Sequence, residues 1–142
     1  MRFGLAGLAV VLAGAAAAQP APNALNAAMV EEIEREMVMP VGAKPLADYS
    51  RFYKVDEIEG RAVVEGVYLR FPSGLYQGRA DPVDGIANAF IMKPDAELPD
   101  ILDGGCDVVE LVFDLAIRSL WNMKLEWKPT APEATGICHG LA

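Results

Sequence analysis

The first clear hydrophobic pattern in the chain is helical and begins near residue 25. Leu25, Met29, Ile33 and Met37 recur every four residues, and a run of mostly acidic side chains occupies the opposite side. This spacing predicts an amphipathic helix, because positions three or four residues apart share one face of an α-helix. Pro40 ends the pattern, since proline cannot continue a helix.

From residue 48 onwards the pattern changes to the alternation that is typical of β-strands. Two segments, 48–55 and 61–71, are rich in aromatic and β-branched side chains, and a short polar segment at 56–60 joins them. The glycine at the end of the joining segment predicts a hairpin loop. Gly66 lies inside the second segment, where it indicates a bulge or a close backbone approach.

The least regular part of the chain follows at residues 72–105. Prolines and glycines divide this excursion, and only "IANAFIM" at 86–92 has the composition of a further short strand. Long excursions within a compact domain are often functional. We therefore select four of its side chains as candidate binding residues, namely Tyr76, Phe90, Asp100 and Asp103.

Two more strands are predicted after the excursion. The segment "CDVVELVFD" at 106–114 is apolar on both faces, which is typical of a central strand. The segment "LWNMKLEW" at 120–127 alternates strictly between apolar and polar positions, as a strand with one buried face does. The residues between them, 115–119, form the connection, and those after 127 form a C-terminal tail.

The N-terminus has the plan of a secretory signal peptide at residues 1–18. Arg2 is followed by an apolar segment, and Ala16 and Ala18 form a small-x-small cleavage site. We expect cleavage to leave 142 − 18 = 124 residues, with a flexible leader at 19–24 and a single domain at 25–142. The expected location is therefore periplasmic or secreted. No later segment reaches the length of a membrane span, so we expect no membrane insertion of the mature chain.

The charge of the chain excludes one class of partner. The net charge is −8, and loss of Arg2 with the signal peptide changes it to −8 − 1 = −9. An acidic protein is repelled by phosphate backbones and by anionic membrane surfaces. We therefore expect no nucleic-acid partner.

The sequence contains two cysteines, Cys106 and Cys138, and both lie in the exported part. An even number of cysteines in an oxidising compartment favours a disulfide. Gly104, Gly105 and Gly136 flank the two positions and allow the backbones to approach one another. We therefore predict a Cys106–Cys138 disulfide that tethers the C-terminal tail.

His139 is the only histidine, and its position next to Cys138 raises other possibilities. Haem attachment is excluded, because the C-x-x-C-H motif needs a cysteine where Thr135 stands. A thiol nucleophile with His139 as its base, and a metal site completed by Asp107, remain open. The sequence contains no nucleophile elbow, phosphate loop or dinucleotide fingerprint. We predict neither an enzyme nor a bound cofactor.

The order of these elements defines an α+β fold. We expect one N-terminal amphipathic helix packed on a mainly antiparallel sheet of about four strands, with a long irregular excursion and a disulfide-tethered C-terminal tail. The function that we expect is binding, by an exported accessory domain that acts as an adaptor or inhibitor of another envelope protein. The alternative hypothesis is a domain that binds a small molecule or a metal. A third hypothesis is a small hydrolase. The oligomeric state is not defined by the sequence.

Overall fold

The computed structural model describes residues 24–70, 73–76, 78–101, 104–121 and 136–139. The predicted signal peptide, nearly all of the predicted leader and most of the predicted strand at 120–127 lie outside these residues. Within them the chain forms one α-helix and seven strands. These elements are α1 (Ala27–Glu36), β1 (Ser50–Ile58), β2 (Arg61–Leu69), β3 (Ala80–Pro82), β4 (Ala89–Met92), β5 (Gly105–Asp114), β6 (Ser119–Leu120) and β7 (Ile137–His139).

The strands form one mixed sheet in the order β3-β4-β1-β2-β5-β6, and β7 also pairs with β5. Every pairing is antiparallel except that of β1 with β4, which is parallel. The predicted α+β class is confirmed. The expected number of about four strands is too low. The excursion supplies β3 as well as β4, which lies within the segment of strand-like composition at 86–92, and residues expected in the tail form β7.

The hairpin of β1 and β2 is the regular centre of the sheet. Its register runs without interruption from Ser50 opposite Leu69 to Ile58 opposite Arg61. The two turn residues have positive φ values, 51° for Glu59 and 77° for Gly60. Two such residues form the type I′ turn that matches the twist of paired strands. The predicted hairpin is confirmed. Its loop is shorter than the predicted loop at 56–60.

Gly66 lies in this regular ladder, so the structure contains a close approach there and no bulge. A Cβ atom at position 66 would lie 2.8 Å from Cγ of Leu111, which is itself buried in the neighbouring strand β5. The missing side chain therefore makes room for Leu111.

Helix α1 packs against one face of the sheet through a first core cluster. Asn26 caps the helix, because its side-chain oxygen accepts a hydrogen bond from the backbone N–H of Met29 at 3.1 Å. The helix contributes its apolar stripe, and the sheet contributes apolar side chains from β1, β2 and β5. The buried members include Met29, Val30, Ile33, Tyr49, Tyr53, Val64, Tyr68, Val109, Leu111 and Phe113.

A buried polar network lies under the helix beside this cluster. Glu34 accepts hydrogen bonds from Nε of Arg51 at 2.6 Å and from the Tyr53 hydroxyl at 2.8 Å. The Arg51 guanidinium also donates to the carbonyl oxygens of Leu46 and Ala87. Burial, together with the neighbouring Tyr68 and Glu34, raises the pKa of Tyr53 well above its ordinary value. The network therefore joins the helix, β1 and the loop before β4.

The excursion covers part of the opposite face of the sheet through a second core cluster. Phe52, Val67, Leu69, Met92 and Val108 are its buried members. Partly buried side chains of the excursion pack against them, including Tyr76, Phe90, Ala96, Leu98 and Ile101. The excursion is therefore a packed layer over its described residues.

The Cys106–Cys138 disulfide is present and joins β5 to β7, with a Cα–Cα distance of 4.4 Å. The C-terminal segment was expected to be a disulfide-tethered tail, but Ile137–His139 forms a strand antiparallel to β5. In the chain-entropy model, a closed segment of this length contributes roughly 3 to 4 kcal/mol to the free energy of unfolding. That is a substantial part of a domain's usual net stability of about 5–15 kcal/mol.

Candidate functional site

The face of the sheet opposite α1 carries an open pocket of about 250 Å³ beside the second core cluster. Strands β1, β2 and β5 form its floor, and the excursion segment at 97–100 forms a wall. We call it the acidic groove, because carboxylates dominate its charged lining. The charged residues are Asp56, Glu65, Glu97, Asp100 and Glu110, with Lys54 as the one described cation.

The strand register explains why these side chains meet. Lys54 lies opposite Glu65 in the β1–β2 ladder, and Asp56 lies two residues further along the same face of β1. In the next ladder, Glu110 of β5 lies opposite Val67. Because side chains alternate between the faces of a strand, acids from three adjacent strands project into one space.

The carboxylates in the groove repel one another. Burial raises the pKa of Glu65 above its ordinary value, and a hydrogen bond with Asp56 and the negative charges of Asp56 and Glu110 raise it further. The positive charge of Lys54 acts in the opposite direction. Like charges held close together favour protonation or the arrival of a cation.

The wall of the groove is held in place by packing and by hydrogen bonds. Leu98 belongs both to the lining of the groove and to the second core cluster. A turn precedes it, in which the backbone N–H of Ala96 donates to the carbonyl of Lys93 at 3.0 Å. Glu97 extends towards solvent with 91% of its side chain exposed, and its carboxylate lies 3.4 Å from the Lys54 ammonium.

The candidate binding residues selected from the sequence fall into two environments. Tyr76 and Phe90 both contact Phe52, with ring centroids 5.0 Å and 5.2 Å away. Both are partly buried, so they fix the excursion to the sheet next to the groove. Asp100 is exposed and lines the groove. Asp103 lies outside the described residues.

Sequence reasoning did not select three central members of the groove, Asp56, Glu65 and Glu110. A signal for two of them was present, because Glu65 and Glu110 each stand alone among apolar residues in a central strand. An isolated acid in such a strand marks a place where the sheet face is not covered by core. The convergence of the two acids depends on the β2–β5 register, which the local pattern does not define.

The disulfide decides between the alternatives raised for the cysteines. Both sulfur atoms are bonded to each other, so in this state neither Cys106 nor Cys138 is a thiolate nucleophile or a metal ligand. His139 contributes its backbone to β7. Over the described part of the chain, no group of three or more His, Cys, Asp or Glu side chains has the arrangement to hold a metal ion.

Comparisons with known protein families, with curated proteins and with solved structures find no match to this chain. None of the helices in the described ranges has the length and apolar character required to cross a membrane. The functional assignment therefore depends on the groove itself.

Proposed function

We propose that this chain is an exported, non-catalytic binding domain that acts as an adaptor or inhibitor of another envelope protein. The proposal includes the signal peptide at 1–18, the leader at 19–24 and a single domain whose C-terminal segment is tethered by the disulfide. The observation that carries it is the acidic groove, in which five carboxylates and one lysine line a concave part of the sheet.

The chemistry of the lining favours a cationic segment of the partner as the occupant. Lysine and arginine side chains end in a charge that the carboxylates attract, and their aliphatic stems pack on apolar surface. Val67, Leu98 and Val112 provide such surface within the groove. Charge of one sign in a cleft also increases the rate at which an oppositely charged partner arrives.

The β3 edge of the sheet is a less suitable surface for the partner. Strand β3 is only three residues long and contains Asp81 and Pro82. Short strands, charged residues and proline at an edge all oppose the addition of a further strand. We therefore place the binding surface on the open face.

The experiment that tests this proposal is site-specific photo-crosslinking in intact cells. A photoreactive residue at Asp100, in the wall of the groove, should yield an adduct with a partner protein. The same residue at Ile117, which is 62% exposed in the turn before β6, serves as the matched control and should not yield that adduct. Neutralising the groove with Asp56→Asn, Glu65→Gln and Glu110→Gln should abolish the adduct at position 100.

Two results would contradict the proposal. One is an equal yield of the adduct at positions 100 and 117. Equal yields would show that the crosslinked protein is merely abundant near the chain and does not bind in the groove. The other is an adduct at position 100 that survives neutralisation of the groove. A thermal shift with a small molecule or metal ion, without any captured partner, would instead favour the alternative of a ligand-binding domain.

A further inference from the structure

The Cys106–Cys138 disulfide holds a very short strand on the edge of β5. Strand β7 is three residues long, and its register with β5 shifts between Gly105 and Val109. Such an irregular ladder provides few hydrogen bonds to offset the loss of chain freedom when the segment is ordered. The covalent bond is therefore one constraint that keeps β7 in place, beside the close packing of the buried Gly136 against Met37 and Val109.

The disulfide lies near the surface of the domain. Both Cys106 and Cys138 are partly exposed, and Sγ of Cys106 lies 3.7 Å from the carbonyl oxygen of Val41, a residue that is 83% exposed. Thiol–disulfide exchange requires a thiolate to reach a sulfur atom, and exposed bonds are the ones that exchange readily.

The start of β5 has a second attachment that does not involve sulfur. The Tyr49 hydroxyl donates a hydrogen bond to the carbonyl oxygen of Cys106 at 2.6 Å and accepts one from the backbone N–H of Lys44. Further along, Val108 and Val109 are buried in the two core clusters. Opening the disulfide therefore leaves β5 anchored to β1 and β2 through the core.

We propose that this disulfide is a redox-controlled strap, whose reduction releases β7 and opens the edge of β5 over residues 105–110 while the core stays folded. An uncovered edge of a long apolar strand is a template for the pairing of another strand. The redox state of one bond thus controls whether the domain offers such an edge. This inference does not rest on the proposed function, although Glu110, which lies opposite Ile137 of β7, also lines the acidic groove.

The reductant is a dithiol, either a protein or a small molecule. One of its thiolates attacks a sulfur of the disulfide, which forms a mixed disulfide and releases the other cysteine as a thiolate. The second thiol of the reductant then displaces the remaining cysteine and closes the reductant's own disulfide. Two electrons pass to the cysteines, and each cysteine thiolate takes up one proton.

The test combines a thiol count with backbone amide exchange, using dithiothreitol on the folded mature chain. We expect two thiols to appear without denaturant, with loss of amide protection confined to residues 105–110 and 136–139. Protection in β1 and β2 should remain, and reoxidation should restore the original pattern. Reduction only after denaturation, unchanged exchange at 105–110, or simultaneous loss in β1 and β2 would each overturn the proposal.

A variant without the two cysteines distinguishes the effect of losing the disulfide from other effects of the reductant on the protein. Cys106→Ser combined with Cys138→Ser should show the exchange pattern of the reduced protein without dithiothreitol, and dithiothreitol should not change it further. If this double variant does not fold, the bond supports the whole domain and the proposal is wrong.

Discussion

Lys54 lies directly opposite Glu65 in the β1–β2 ladder, yet its ammonium pairs with Glu97 in the wall of the groove, 3.4 Å away. Lys54 therefore helps to fix the wall segment at 97–100. It also partly neutralises the negative charge of the strands that form the floor of the groove. The negative charge that remains around Glu65 is what a cationic partner encounters.

Replacing Lys54 should make the groove more negative. We expect Lys54→Gln to raise the pKa of Glu65 further, because the positive charge that lowers it is removed. A carboxyl-detected NMR titration measures this change. Lys44→Gln, at an exposed position outside the groove lining, serves as the control and should leave the titration of Glu65 unchanged.

The stability of the domain should respond to pH through Glu65. Its pKa is higher in the folded chain than the ordinary value of 4.5, so the folded state binds the proton more tightly than the unfolded state. This group therefore favours folding at low pH, and the benefit is lost as pH rises from 4.5 through the folded pKa.

The variant Glu65→Gln should remove this contribution. We expect it to raise Tm at pH 7 by up to about 3 °C, since a partly exposed group is screened by solvent. The difference in Tm from the parent chain should disappear at pH 4. A variant that is less stable than the parent chain at pH 7 would show that Glu65 is favourably paired in the folded state.

The buried ion pair under the helix should be far more important for stability than an exposed one. Arg51→Ala removes the charged partner of the Glu34 carboxylate, whose side chain is only 15% exposed in the parent chain. We expect a loss of about 3 kcal/mol in the free energy of unfolding, measured by urea denaturation. Arg70→Ala breaks the exposed pair with Asp107 and should cost about 1 kcal/mol or less.

The contact between Gly66 and Leu111 gives a test of the sheet packing. Gly66→Ala places a Cβ 2.8 Å from Cγ of a buried leucine, so we expect a loss of about 1–3 kcal/mol in the free energy of unfolding. Leu111→Ala alone should cost about 2–5 kcal/mol. Because the two changes share one space, the double variant should lose less than the sum of the single losses.

The sequence predicted the elements that have a strong local period. The predicted strands at 61–71 and 106–114 correspond to β2 and β5, and Glu59 and Gly60 form the turn expected between the first two strands. The disulfide was predictable from the even number of cysteines together with the predicted export of the chain.

The parts that were not predicted depend on non-local pairing. Strands β3 and β7 have only three residues each, too few for a period to be recognised, whereas β4 lies within the segment 86–92 whose composition indicated a short strand. The parallel pairing of β4 with β1 joins segments that are about 40 residues apart in sequence, and no local pattern indicates it. The acidic groove depends on the same kind of information, because Asp56, Glu65 and Glu110 meet only through the strand register.

Binding of a cationic segment in the acidic groove can be measured with a defined basic peptide. Binding of a lysine- and arginine-rich peptide to residues 19–142 can be measured by NMR titration at low and at physiological salt. We compare the groove variant, Asp56→Asn with Glu65→Gln and Glu110→Gln, with a control that neutralises three exposed acids outside the groove lining. The control changes are Glu31→Gln, Glu36→Gln and Asp84→Asn.

The two triple variants carry the same net charge, so the comparison isolates position from total charge. If the peptide binds in the groove, we expect amide shifts concentrated at residues 54–56, 65–67, 97–100 and 110–112. We also expect an affinity reduced about tenfold in the groove variant and nearly unchanged in the control. Equal losses of affinity in both variants, or shifts spread evenly over the acidic surface, would contradict binding in the groove.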